Sequence, residues 1–196
     1  MENEAMESKI ANKILSLAGK LGALQYGEFV LSSGAESNYY FDGRLISLHP
    51  EGSYLLGKAF LNAIRGTSIT AVGGPAVAAI PIVTAVTLTS HIEEDSVEAF
   101  FVRPTAKDHG TERQIEGNLK PGSHVMIIDD VCTSGGSLFI AIDAVENLGC
   151  KIEKVMVVLD RKQGGREKIE ARGYSFVSIL EPDETGVIQV SSGSIG

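Results

Sequence analysis

The stretch Val125-Met126-Ile127-Ile128-Asp129-Asp130-Val131-Cys132-Thr133-Ser134-Gly135-Gly136-Ser137 holds the densest set of groups able to do chemistry in this chain. An apolar run leads into two acids, a loop of small residues follows, and Leu138, Ile142 and Val145 then mark a helix. Small residues let the backbone curl, so that successive N–H groups converge at a helix N-terminus and form an anion site. A phosphate fits Thr133, Ser134, Gly135, Gly136 and Ser137, with hydroxyls as extra donors. No Lys stands within the loop, as a nucleotide P-loop would require, and there is no GxGxxG. Asp129 and Asp130 would repel a bare phosphate, but they suit neutral sugar hydroxyls or the waters of a Mg²⁺ ion. The combination describes a ribose 5-phosphate with a metal nearby that the protein does not ligate directly.

These groups need a scaffold that brings strand ends together. From Ser68 onward, strand-like runs at Ile69–Val72, Val97–Val102, His124–Ile128, Val155–Leu159 and Tyr174–Ile179 alternate with helices predicted to begin near Pro81, Gly136 and Gly165. That order predicts an α/β fold with a parallel sheet covered on both faces. Ligands then bind beyond the carboxyl ends of the strands, which singles out the loops Gly73–Ala79, Arg103–Gly117, Asp129–Ser137 and Asp160–Gly165. Before Ser68, Ile10, Ile14, Leu17 and Leu21 predict an amphipathic helix stopped by Gly22. Two short strands around Ser32-Ser33-Gly34 follow. Pro50 then opens a helix with Leu56, Phe60 and Ala63 on its apolar stripe.

The bulk numbers narrow the classes. Of 196 residues, 43% are apolar and 21% charged, as in one globular domain. Seventeen basic against 25 acidic residues give a net charge of −8, which disfavours nucleic acid as a partner. The two cysteines form no CxxC, so neither a disulfide scaffold nor a zinc site is expected. No apolar run spans a membrane, and Met1-Glu2-Asn3-Glu4 does not start a signal peptide, so a cytoplasmic setting is expected.

The 125–137 stretch resembles the motif by which type I phosphoribosyltransferases bind 5-phosphoribosyl-1-pyrophosphate (PRPP). Four further segments resemble the orotate phosphoribosyltransferases among them. Ala106-Lys107-Asp108-His109-Gly110 is similar to their catalytic loop, and Gly73-Gly74-Pro75-Ala76 to their pyrophosphate loop. Glu28 to Gly34, with Tyr39-Tyr40-Phe41-Asp42, is similar to the hood over the base. Arg161, after Asp160, stands where the family places an arginine for the orotate carboxylate. Two departures stand out: Pro104 and Ser32 occupy positions where bacterial relatives carry Lys.

The resemblance implies a small N-terminal hood subdomain on the α/β core. Residues 1–66 would hold the first helix, the hood and a framework helix, 67–182 the PRPP-binding core, and 183–196 a tail. It implies transfer of phosphoribose from PRPP to orotate with Mg²⁺, in pyrimidine synthesis, by a homodimer whose loops act across subunits. Arg103, Lys107 and His109 would stabilise the leaving pyrophosphate, with Asp129 and Asp130 completing the catalytic set. Gly73, Gly74 and Pro75 would hold pyrophosphate, and Tyr39, Tyr40, Thr133 and Arg161 the orotate. The alternatives are transfer to a purine or uracil, or a regulator that senses PRPP on the same fold. Outside these segments, His49 and His91 read as surface or capping residues and His124 has no evident role; Cys132, within the 125–137 stretch, reads as a small buried residue.

Overall fold

The computed structural model describes residues 2–30, 34, 36–105 and 114–192. Helix α1 (Glu2–Lys20) buries Ile14, Leu17 and Ala18, and ends where Gly22 takes φ +67°. Strands β1 (Leu24–Val30) and β2 (Glu36–Phe41) pair antiparallel as a separate two-stranded sheet, with a bulge between Tyr26 and Phe29. The one-turn helix α2 (Arg44–Ser47) leads to α3 (Pro50–Asn62). His49 caps α3, its ring nitrogen accepting from the Gly52 N–H, and Pro50 sits at the first helical position where its missing N–H costs nothing.

The core is a seven-stranded sheet in the order β5-β4-β3-β6-β7-β8-β9. Its members are β3 (Ala71–Pro75), β4 (Glu98–Val102), β5 (Ile115–Gly117), β6 (His124–Cys132), β7 (Lys151–Asp160), β8 (Ser175–Pro182) and β9 (Ile188–Val190). The five inner strands run parallel, and the edge strands β5 and β9 run antiparallel to their neighbours. Alternation sends Met126 and Ile128 to one face, against α1, α3 and α4 (Ala79–Ile92), and Val125 and Ile127 to the other, against α5 (Gly136–Asn147) and α6 (Gly165–Ala171). Both faces are covered, as the continuous apolar runs require.

The strands run further toward their carboxyl ends than the apolar runs predict. β3 reaches Pro75, β6 Cys132, β7 Asp160 and β8 Pro182. The pairings Asp129↔Val157, Val131↔Leu159 and Cys132↔Asp160 explain this, because ladder hydrogen bonds use the backbone and tolerate polar side chains. Both acids of the motif therefore belong to a strand and not to a loop. Strands β5 and β9 and helix α2 are too short for a periodic signal. Among the described residues, no helix is long and apolar enough to cross a membrane.

Candidate active site

The candidate phosphate loop is built by one strand, one turn and one helix. After β6 the chain turns at Gly135, whose φ of +83° favours glycine, and α5 starts at the next residue. The first N–H groups of α5 have no partner inside the helix, so they are open to an anion. Ser134, Gly136 and Ser137 are exposed around them, and Thr133 is half-buried. The Ser137 hydroxyl, expected from the sequence to face a phosphate, donates to Asp129 Oδ2 at 3.1 Å.

The two acids differ. Asp129 is buried, and its Oδ1 accepts the Asp130 N–H at 2.9 Å. Burial, and then the neighbouring Asp130 charge, push the Asp129 carboxyl well above the usual carboxylate range. Burial raises Asp130 as well. Gly43 lies directly against Asp130, where an added Cβ would be 2.6 Å from the Asp130 Cβ. Beside it Asp42 holds Arg44 with a fork of two bonds, at 2.8 and 2.9 Å. The Arg44 hydrogen bond is the main reason Asp42 sits below its ordinary value. In the sequence Asp42 belongs to the hood segment, and Gly43 and Arg44 form no motif of their own. The available signal was their place directly after Tyr39-Tyr40-Phe41.

Gly73, Gly74 and Pro75 lie inside β3 and are buried. A Cβ on Gly73 would meet the Phe100 ring at 2.4 Å, and one on Gly74 the Ile128 carbonyl oxygen at 1.8 Å. These glycines let β3 close on its neighbours. The exposed part of this segment is Val77, flanked by half-buried Ala76 and Ala78.

Arg161 joins the sheet to the hood. It is only 7% exposed, its N–H donates to the Cys132 carbonyl at 2.9 Å, and its Nη2 donates to Ser37 Oγ at 2.8 Å. The guanidinium lies 4.4 Å over the Tyr39 ring, and its buried Nε has no hydrogen-bond partner among the described residues. Its chain neighbour Asp160 pairs instead with Arg166, at 2.7 Å. Ser37 was missed in the sequence, since one serine in a strand carries no pattern. Tyr39 and Tyr40 point to opposite sides of β2: Tyr39 is buried under Arg161, while Tyr40 is 38% exposed beside Phe29. Only Tyr39 is brought to Arg161. A cavity of 670 Å³ opens along the hood at Phe29, Val30, Ser37 and Asn38.

Gly165 N–H donates to the Thr133 carbonyl at 3.0 Å, and with the Arg161–Cys132 bond this ties the Arg161 turn to the phosphate loop. Arg103 stands at the foot of the next loop, its Nε donating to Glu116 at 3.1 Å. Lys107 and His109 lie outside the described residues. The remaining candidates take structural places. His124 bonds Glu153 at 2.6 Å at the start of β6, away from the strand ends that carry the acids. Burial pushes the Cys132 thiol up to about 12, which leaves no thiolate for nucleophilic work.

The phosphoribosyl transferase domain family matches residues 51–192. The orotate phosphoribosyltransferase of Rhodopirellula baltica is 40% identical over 171 residues, 84% of this chain and 89% of that protein. The crystal structure of the Mycobacterium tuberculosis H37Rv orotate phosphoribosyltransferase in complex with Fe(III) dicitrate matches with a TM-score of 0.76 at 34% identity, covering 88% of this chain and 96% of that one. The same enzyme in complex with PRPP matches with a TM-score of 0.73 at 31% identity, with the same coverage of 88% and 96%.

Proposed function

Because this chain belongs to the phosphoribosyl transferase family, and within it to the orotate phosphoribosyltransferases, we propose that it transfers phosphoribose from PRPP to orotate, giving orotidine 5′-monophosphate and pyrophosphate in pyrimidine synthesis. The observation that carries orotate over other bases is Arg161. A buried guanidinium whose Nε has no partner among the described residues, next to an aromatic ring, is prepared for a planar carboxylate. Uracil lacks that group, and nothing about a neutral purine calls for it.

In this reading the 5-phosphate of PRPP sits on the N–H groups of Thr133–Ser137 and the hydroxyls of Thr133 and Ser134. Asp129 and Asp130 accept the ribose hydroxyls. The two acids also suit Mg²⁺, which prefers oxygen donors and keeps waters when held mainly by substrate phosphates. When bound, that ion neutralises pyrophosphate charge. Among the described residues no cluster of three or more His, Cys, Asp or Glu is able to hold a metal by itself. Arg161 and Ser37 orient orotate over Tyr39, so that its ring nitrogen faces the anomeric carbon. As the bond to pyrophosphate breaks, the ribose ring gains positive charge and the leaving group negative charge. Arg103, Lys107 and His109 are assigned to the leaving group, and loop closure to the exclusion of water. No covalent intermediate is needed, since positioning and charge stabilisation supply the rate.

The working unit in this reading is a homodimer in which the 103–117 loop of one subunit serves the other. Its setting is the cytoplasm, which suits two unpaired cysteines. The primary test is the fall in orotate absorbance on adding PRPP and Mg²⁺, with uracil, adenine and hypoxanthine in parallel. Equal use of uracil would remove the orotate assignment. For the shared site, mixing inactive Lys107→Ala with inactive Asp129→Asn/Asp130→Asn chains should restore activity. No recovery after confirmed subunit exchange would argue for loops acting within their own chain.

A further inference from the structure

Two arginines flank one buried carboxylate, and only one of them uses it. Asp160 is fully buried at the end of β7. Its Oδ1 accepts the Lys162 N–H at 2.9 Å and its Oδ2 accepts Arg166 Nε at 2.7 Å. Both oxygens are therefore satisfied without Arg161. Arg166 is held for this task from three sides. It belongs to α6, its Nη2 donates to Ser178 Oγ on β8 at 3.0 Å, and its guanidinium lies 4.7 Å over the Phe176 ring. Arg161, one residue from the carboxylate, bonds a neutral hydroxyl and an aromatic face instead.

We infer that Arg166 is a positioning residue for base selection: it neutralises the buried Asp160 carboxylate, so that the charge of Arg161 stays available to the substrate's carboxylate. This rests on the reading of Arg161 as the orotate-binding group. A buried carboxylate that loses its cation recruits the nearest other one or repels nearby anions, and both effects are strong where water is excluded. Arg161 is the adjacent cation in the chain, and orotate is the adjacent anion in this reading. Lys162 is not placed to substitute for Arg166, because its Nζ is engaged by the Pro182 carbonyl at 3.1 Å and Glu181 at 3.3 Å.

The test is steady-state kinetics on the full chain for Arg166→Gln, Asp160→Asn/Arg166→Gln and Arg161→Ala, with melting temperatures recorded. Arg166→Gln should raise the orotate KM about tenfold, the scale of one charged hydrogen bond lost, and the PRPP KM distinctly less. Adding Asp160→Asn should bring the orotate KM back to within about threefold of the parent, since the stray charge is gone. A purely structural Arg166 would show no such rescue. The inference is overturned by an unchanged orotate KM in Arg166→Gln, or by a double variant as impaired as the single one. If Arg166→Gln does not fold, the double variant decides: a near-parent orotate KM supports the inference and a raised one overturns it. Arg161→Ala separates the two layers. An unchanged orotate KM there removes the underlying reading, whereas a raised one beside a silent Arg166→Gln removes this inference alone.

Discussion

The proposed phosphate loop and the proposed base site are two candidate anion sites at the carboxyl ends of the sheet strands, built in opposite ways. The first is continuous: nine residues from Asp129 to Ser137 pass through strand, turn and helix, and in the proposed reading their backbone does the binding. The second is assembled. Arg161 reaches it from β7, Ser37 and Tyr39 from the hood, and the Arg161–Ser37 hydrogen bond spans 124 positions of chain. A site made from local backbone is specified by a short motif. A site made from distant side chains is specified only once the sheet and hood are folded together.

Variants can break this contrast at graded cost. The largest effect should come from Asp129→Asn/Asp130→Asn. Two charge-assisted contacts to ribose are worth about 3–6 kcal/mol together, so kcat/KM for PRPP should fall by at least a hundredfold with the fold intact. PRPP kinetics left unchanged would dissolve the assigned role of both acids.

Next comes Arg161→Ala, which should cost about 1.5–3 kcal/mol in orotate use and spare PRPP. Parallel KM measurements for the two substrates check this. Equal rises in both would mean that the two sites are not separable as the contrast requires.

Gly43→Ala should cost less. Its backbone, at φ −61°, accepts alanine, but the new methyl meets Asp130. Overpacking of this kind costs about 1–3 kcal/mol, read as a lower melting temperature together with a raised KM for PRPP. A Gly43→Ala chain with parental stability and PRPP kinetics would show that Asp130 moves aside freely.

The smallest and most specific effect concerns pH. Burial raises the Asp129 carboxyl above its unfolded value of 3.8. An acid raised by folding favours the folded state below its unfolded pKa, and that contribution is lost as pH rises through the folded pKa. Ionising this buried carboxyl therefore costs the folded state stability, and Asp129→Asn removes that cost. The melting-temperature gain from Asp129→Asn should grow as pH rises and shrink toward pH 4. A gain that does not vary with pH would point to packing instead of charge.

The same contrast governs what was legible in the sequence. The alternation of apolar runs and helical stripes is local, so the α/β order and the 125–137 motif could be read directly. The resemblance then extended the reading to Arg161 and Tyr39. What escaped was set by neighbours. Strand β6 extends through Asp129 and Asp130 because β7 pairs with it, not because those residues favour strand. Gly73 and Gly74 resemble a phosphate-binding loop, yet Phe100 and the Ile128 carbonyl explain their lack of side chains. Ser37, Gly43 and Arg166 became visible only through the groups that approach them from distant parts of the chain.

The hood has one more dependence. The Tyr26 hydroxyl accepts the Ile188 N–H at 2.9 Å, and Asn38 donates to the Thr185 carbonyl at 3.4 Å. The hood strands are thus synthesised well before the β8–β9 turn that braces them. A nascent chain ending short of Ile188 would have its sheet nearly complete and its phosphate loop formed, while Tyr26 waited without a partner. In biosynthetic time, the ability to hold PRPP should therefore precede the ability to choose a base.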